Sequence, residues 1–369
     1  MESLVCVFAL SVLYVTVVSS HTVPNVFEGI RLKDTNNVIV KTIVVDQSGH
    51  GNFKTIQAAI DSVPFGMNNW TKIVVRQGTY YEKVTIPKKK TKIQLEGNRS
   101  SRTIIQYNDA GSSVKSATLT VLAEFFVATN ITFKNTYNQE KPMTRYEEIR
   151  VAPAVLLTAD KAAFFGCGFF GMQDTVGDLV GRHYFQQCFI KGAIDFIWGG
   201  GQSIYQSCTI EVMGVTTATA SNDEVNRGLI AGYITAQGRG TEKDTSGFVF
   251  SGCAIFGPGK AFLGRAYGGY SRVVFSNTNM ANVIVPQGWD SWTHPKEVNK
   301  VTFVEVNCKG PGANKKGRVA WEKNLSPQDV SYFINHKTFL NKDGWIDSLP
   351  PHRRILGFKC KPFFSPPPF

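Results

Sequence analysis

Cys167 and Cys188 stand 21 residues apart, and so do Asp174 and Asp195. The stretches around the cysteines are alike: Phe164-Phe165-Gly166-Cys167-Gly168-Phe169, then Tyr184-Phe185-Gln186-Gln187-Cys188-Phe189. That offset is the length of one turn of a β-solenoid, in which each coil stacks on the one before. Matching positions then lie one strand spacing apart, about 4.8 Å. The cysteines stack inside, and the two carboxylates sit side by side on the surface. Adjacent like charges push one pKa up and leave the other group ionised, which sets an acid beside a nucleophile.

The repeat extends in both directions. Ile204-Tyr205-Gln206-Ser207-Cys208-Thr209-Ile210 places a cysteine 20 residues after Cys188. Phe248-Val249-Phe250-Ser251-Gly252-Cys253 places the next 45 later, an interval near two further coils. Val274-Phe275-Ser276-Asn277-Thr278 and Val304-Glu305-Val306-Asn307-Cys308 continue the theme, and Ile131-Thr132-Phe133-Lys134-Asn135 is an earlier rung. Short alternating strands ending in small or polar residues fit an all-β parallel β-helix, with loops of unequal length leaving the coils. The start differs. Phe53, Ile56, Ile60 and Val63 fall on one helical face that ends at Pro64, predicting an N-terminal helix that caps the open end. Ser326-Pro327-Gln328-Asp329 has the pattern of a second helix start, with the following residues alongside the coils.

The chain has 369 residues, more than one ordinary globular core holds, and a solenoid escapes that limit by growing in one dimension. Leu4 to Val18 is apolar and precedes Ser19 and Ser20, the pattern of a signal peptide over 1–20, although Glu2 stands where a basic residue is usual. A short extension over 21–40 leads to the β-helix domain at 41–350, and 351–369 is a Pro-rich tail. No later run is long and apolar enough to span a membrane. Net charge is +12, which in a secreted chain suits a polyanionic neighbour: acidic polysaccharide, anionic lipid or nucleic acid. No nucleic-acid motif supports the last. Lys88-Lys89-Lys90 reads as loop charge. Sequons begin at Asn69, Asn98, Asn130 and Asn324; Asn130 precedes a strand and also fits a buried ladder position.

Six cysteines follow the leader: Cys167, Cys188, Cys208, Cys253, Cys308 and Cys360. Their spacing fits a ladder of free thiols packed as small hydrophobes. Neighbouring rungs can also meet disulfide distance, so a Cys167–Cys188 or Cys188–Cys208 bridge is the alternative in an oxidising compartment. No CxxC pair or interleaved His points to a metal.

Gln173-Asp174-Thr175, Asp195-Phe196-Ile197-Trp198-Gly199 and Leu263-Gly264-Arg265 resemble the signature blocks of plant-type pectin methylesterases. Gly78-Thr79-Tyr80-Tyr81-Glu82 is similar to that family's opening block, and Gly288-Trp289 and Gly310-Pro311-Gly312-Ala313 to its C-terminal part. The blocks occur in order over roughly residues 40 to 350. The resemblance implies a right-handed parallel β-helix and a secreted cell-wall enzyme that removes methyl esters from pectin, releasing methanol. It implies Asp195 as nucleophile, Asp174 as general acid and then base, Arg265 holding Asp195 ionised, and Gln173 donating to the oxyanion. Trp198, Tyr267, Trp289 and Trp292 would line the sugar cleft. No cofactor or metal is implied. Methyl-esterified pectin is the expected partner, with a proteinaceous inhibitor as a family-level expectation and a monomer as the expected state. The short start predicts no inhibitor-like pro-domain.

Three departures weigh on activity. The family commonly carries a second Gln in a block before the first aspartate; counting back from Cys167, Val151 holds that place. Losing one oxyanion donor costs about 100- to 1,000-fold in rate. Ala266-Tyr267 stands for the usual Pro-Trp, and Trp198 for a usual Phe. Two rival readings follow: a weak or inactive pectin-binding wall protein of the same fold, and a pectate lyase or polygalacturonase, which share solenoid architecture.

Overall fold

The computed structural model describes residues 38–138, 143–216 and 229–351. The leader, nearly all of the N-terminal extension, Cys360 and almost the whole tail lie outside the described residues. The described chain is a right-handed parallel β-helix with three faces. One face stacks ten strands, from Ile39–Val45 to Thr302–Val306; a second stacks eight, from Gly78–Tyr81 to Asn279–Met280. The third runs from Val84–Ile86 through Val155–Leu157, Val176–Asp178, Ile197–Gly199, Leu229–Gln237 and Lys260–Ala266 to Trp289–Asp290.

The register follows the repeat. Ala162 pairs with His183, His183 with Ser203, and Ser203 with Phe248. The 45-residue interval between Cys208 and Cys253 is therefore one coil, where two were expected. Gln202 pairs directly with Gly247 and Thr209 with Ala254, so the surplus chain leaves the stack between them.

One backbone turn recurs on coil after coil. Asn130, Gly166, Gln187, Ser207, Gly252, Asn277 and Asn307 all take φ between 51° and 64°. Left-handed backbone suits Asn and Gly, and the polar or small residue ending each sequence repeat is the one that turns the corner. From Asn130 to Asn277 each corner amide donates to a carbonyl of the next coil, at 2.8–3.0 Å. Asn130 is buried in this series, so its sequon marks a ladder residue.

The residue after each corner points inward, which builds the cysteine ladder. Cys167, Cys188, Cys208, Cys253 and Cys308 are free thiols, which decides between the ladder and a bridge. Each successive sulfur donates back to the previous coil: Cys188 to Phe164 O at 3.5 Å, Cys208 to Phe185 O at 3.7 Å, Cys253 to Tyr205 O at 3.3 Å. Beside them runs an aromatic column: Phe164, Phe185, Tyr205, Phe250 and Phe275 stack with centroids 5.1, 4.4, 4.7 and 4.4 Å apart. Offset ring stacking adds to what burial of the ring areas contributes.

One short α-helix stands near the start of the described chain and two near its end. Thr55 caps a helix over Ile56–Asp61 that buries Ile56, Ala59 and Ile60, while Val63 falls beyond its end. Lys90 was read as loop charge, but its amine is turned inward. It donates to Ile60 O, Asp61 O and Val63 O at 2.9, 2.6 and 2.7 Å. Three carbonyls use all three ammonium donors at a helix C-terminus, where a cation is favoured. Ser326 caps the helix Pro327–Ile334 as expected. The segment that follows packs Phe339, Leu340 and Trp345 on the outer side of the first face.

One polar cluster is sealed in the interior, around the strand Val176–Asp178. Asp178 accepts from His183 Nδ1 at 2.6 Å and from the Tyr205 hydroxyl at 2.7 Å, and His183 Nε2 meets Ala159 O at 2.8 Å. Burial drives the His183 pKa down, but the Asp178 charge and these hydrogen bonds outweigh it and the net direction is up. A side chain at Gly201 would overlap Asp178, so only glycine fits there. Asp178→Ala strands a buried imidazole and phenol. It should lose about 3–5 kcal/mol of stability in denaturant unfolding, against a much smaller loss for an exposed Asp329→Ala control.

Candidate active site

Asp174 and Asp195 occupy the same place on consecutive coils, at the corner leading into the third face. Gln173 bridges Val151 on one side and Ile194 on the other, and Val176 pairs with Ile197 two residues on. Both aspartates are left-handed, with φ of 61° and 48°. Asp tolerates that conformation better than most residues, and the corner turns each carboxyl out of the coil. The Asp174 amide donates to Ile194 O at 3.1 Å, and its carbonyl accepts from Trp198 Nε1 at 3.1 Å. Its backbone is thus held by the coil of its partner.

The two carboxyls have different neighbours. Arg265, on the strand Lys260–Ala266, reaches over Leu229–Gln237 to pair through Nη2 with Asp195 Oδ2. Asp195 Oδ1 is buried and has no hydrogen-bond partner among the described residues. Burial holds the Asp195 pKa above its usual value, and the Arg265 charge and hydrogen bond oppose the rise without cancelling it. Asp174 rises to about 6: burial contributes most and the Asp195 charge adds, while a hydrogen bond from the Ser113 side chain and the more distant Arg265 oppose. Two carboxyls thus stand one strand spacing apart with unequal partners, one of them with a free oxygen, the pattern of an acid beside a nucleophile.

Arg265 is itself clamped. Its guanidinium lies 4.7 Å from the Tyr233 ring centroid and 4.3 Å from that of Trp292. Asp290 ties the clamp together, accepting from the Tyr233 hydroxyl at 2.7 Å and from the Trp292 amide at 2.8 Å. Tyr267 stacks on the outer side of Trp292 at 5.2 Å. Tyr233, Asp290 and Ser113 were not singled out from the sequence. Asp290 follows Trp289 in a quoted block, but nothing in the repeat marks the other two.

The comparisons decide what this arrangement belongs to. A family model described as pectinesterase matches residues 42–343. "Probable pectinesterase 29" of Arabidopsis thaliana is 46% identical over 314 residues, covering 85% of this chain and 91% of its own length. "Probable pectinesterase 55" from the same plant is 45% identical over 309 residues, covering 84% and 91%. The solved pectin methylesterase from carrot has TM-score 0.74 at 27% identity, covering 84% of this chain and 97% of that one. A crystal structure of the Aspergillus niger enzyme gives 0.69 at 25%, covering 85% and 97%.

The chain belongs to the pectinesterase family. It is a carboxylic ester hydrolase whose reaction is the demethylesterification of pectin. Among the residues expected in the pectinesterase cleft, Trp198 is half-buried beside Asp174, and Tyr267 and Trp292 are 53% and 40% exposed, next to Arg265. Trp289 requires correction. It is 1% exposed and stacks on Phe303 at 4.5 Å inside the coils, so it has no face for a sugar. Trp198 has room for its larger ring because its register partner is Gly177; a Cβ there would lie 3.2 Å from the indole. The usual Phe could not make the indole's hydrogen bond to Asp174. Val151 is confirmed in line with Gln173, where it offers no donor.

Trp292→Ala removes one face of the Arg265 clamp and the platform for Tyr267. A desolvated cation–π contact is worth up to about 2 kcal/mol. A fall in kcat/KM of roughly 5- to 30-fold is expected from initial rates on methylated pectin.

Proposed function

We propose that Asp195 and Asp174 carry out the demethylation as nucleophile and general acid/base. The single observation behind this assignment is that two carboxyls in register on adjacent coils have unequal partners: Arg265 pairs with Asp195, while Asp174 makes no ion pair among the described residues. Asp195 Oδ1 attacks the ester carbonyl carbon, and the carbonyl electrons move onto oxygen. The Gln173 side-chain amide donates to that oxyanion. As the tetrahedral intermediate collapses, the ester C–O bond breaks and Asp174 gives its proton to the departing oxygen, releasing methanol. An acyl-aspartate anhydride remains. Asp174, now a carboxylate, takes a proton from water as the water oxygen attacks the acyl carbon. The galacturonate carboxyl leaves, Asp195 returns as carboxylate and Asp174 is protonated again.

Arg265 keeps Asp195 ionised, and its aromatic clamp fixes where that charge sits. Trp198, Tyr267 and Trp292 offer rings for the sugar faces. We read the chain as a secreted, monomeric cell-wall protein, open to a proteinaceous inhibitor. Its net charge of +12 suits a polymer that gains charge at every turnover. Val151 supports the second reading, a slow or inactive pectin-binding relative.

Asp195→Asn keeps a residue that tolerates φ of 48° and removes the nucleophile. Methanol release from highly methylated pectin should fall by about 10⁴-fold or more, with pectin binding retained. Wild-type protein that binds pectin but frees no methanol would overturn the enzymatic assignment in favour of the inactive relative. The pH profile is a second test. Activity in kcat/KM should rise as Asp195 loses its proton and fall as Asp174 loses its own, with the descending limb near 6. Arg265→Gln removes the group that lowers the Asp195 pKa, so the ascending limb should move to higher pH.

A further inference from the structure

Among the described residues, Arg265 makes one side-chain hydrogen bond, from Nη2 to Asp195, and its Nε is buried without a partner. A guanidinium carries five donors, so a single contact at its tip leaves it free to swing. A second carboxylate stands nearby. Asp290 is the register partner of Arg265 on the next coil, one strand spacing away on the side opposite Asp195. Arg265 nevertheless pairs with Asp195, two coils back, and makes no ion pair with Asp290 among the described residues. Both Asp290 oxygens are engaged elsewhere. Oδ2 accepts from the Tyr233 hydroxyl at 2.7 Å and Oδ1 from the Trp292 amide at 2.8 Å. The second contact is an Asx turn, in which a side chain accepts from the backbone two residues on. It holds Trp292 at φ 47°, a conformation that bulky residues rarely adopt. The Trp292 and Tyr233 rings are the two that contact the guanidinium, at 4.3 and 4.7 Å. Tyr233 is backed in turn by its register partner Phe262, stacked at 5.2 Å.

We propose that Asp290 is a positioning residue of the esterase: it fixes the two rings that hold Arg265 against Asp195 and, with both oxygens so engaged, leaves the guanidinium to Asp195. The proposal rests on Asp195 being the nucleophile. Hydrogen bonds to a carboxylate are stronger than those to a neutral acceptor, so one Asp290 side chain can hold a ring and a strained backbone together. Ring faces then do for Arg265 what its unused donors do not. Without the tie, Tyr233 and Trp292 can separate, an Asp290 oxygen freed by either can draw the guanidinium forward, and Asp195 loses its cation. The ionisable groups facing Arg265 are Asp195, Asp174, Asp290 and Tyr233. Those facing Asp195 are Arg265, Asp174 and Tyr233. Of these only Arg265 lowers the Asp195 pKa, so a guanidinium that drifts away leaves a nucleophile that ionises at higher pH.

Variants of the full chain test this through initial rates on methylated pectin across pH. Asp290→Ala should lower kcat/KM by roughly tenfold, and its ascending limb should move to higher pH, in the direction of Arg265→Gln but by less. Asp290→Asn should recover both, because its amide oxygen still accepts from Trp292 and its amide nitrogen donates to the Tyr233 oxygen. Tyr233→Phe keeps the ring and cuts one tie. It should give a smaller shift in the same direction, and it decides alone if Asp290→Ala does not fold. An ascending limb that stays in place in Asp290→Ala and Tyr233→Phe would overturn the proposal, even with a raised KM, since Asp290 would then only support the Trp292 and Tyr267 platform. Equal losses in Asp290→Ala and Asp290→Asn would overturn it too, because they would trace to the charge and not to the tie. If the wild type frees no methanol, the esterase assignment fails separately. Carboxyl NMR of ¹³C-labelled aspartates, with Asp195 assigned through Asp195→Asn, then still decides: an upward-shifted Asp195 titration in Asp290→Ala upholds the positioning role, and an identical one refutes it.

Discussion

Everything in this molecule depends on coils being held in register by one hydrogen-bonded corner. The left-handed residues from Asn130 to Asn307 turn the chain at the same height on each coil, and the amides from Asn130 to Asn277 point at the next. A slip of one residue would exchange inside for outside along a whole strand. Cysteines and aromatic rings then fall into columns because nothing else is open to them. Asp174 and Asp195 use a second corner of the same kind. Their separation is set by strand spacing, which no side-chain substitution alters.

Two like residues at equivalent positions would have like chemistry if the surroundings repeated as well. They do not. Asp195 has a guanidinium fixed between Tyr233 and Trp292, while Asp174 has its backbone held by Trp198. The solenoid supplies the equivalence, and a side chain two coils away breaks it. That division of labour explains why the scaffold can be regular while the site is not.

The sequence carried the parts that repeat. The 21-residue offset exposed the coil, the thiol ladder and the paired acids before any coordinates, and Arg265 came with a block of resemblance. The parts that failed lie off the period. A 45-residue interval cannot be divided into coils by length, since a loop and an extra coil use chain alike. Trp289 and Trp292 are three residues apart, but one packs within a strand and the other is itself left-handed, at φ 47°, and turns out beside Arg265. Inside and outside there depend on a turn that no pattern announces. Tyr233, Asp290 and Lys90 act through contacts between elements distant in the chain, and only the folded register brings those elements together.

The thiol column has a consequence of another kind. Burial pushes Cys167 up to about 12, so almost no thiolate exists there at neutral pH, while Cys308 near the last coil is only half-buried. A thiol reagent can reach an inner rung only when the coils around it part. The ladder is thus a row of embedded reporters at successive heights. The order in which they label would record whether the solenoid frays from its C-terminal end or opens as one unit.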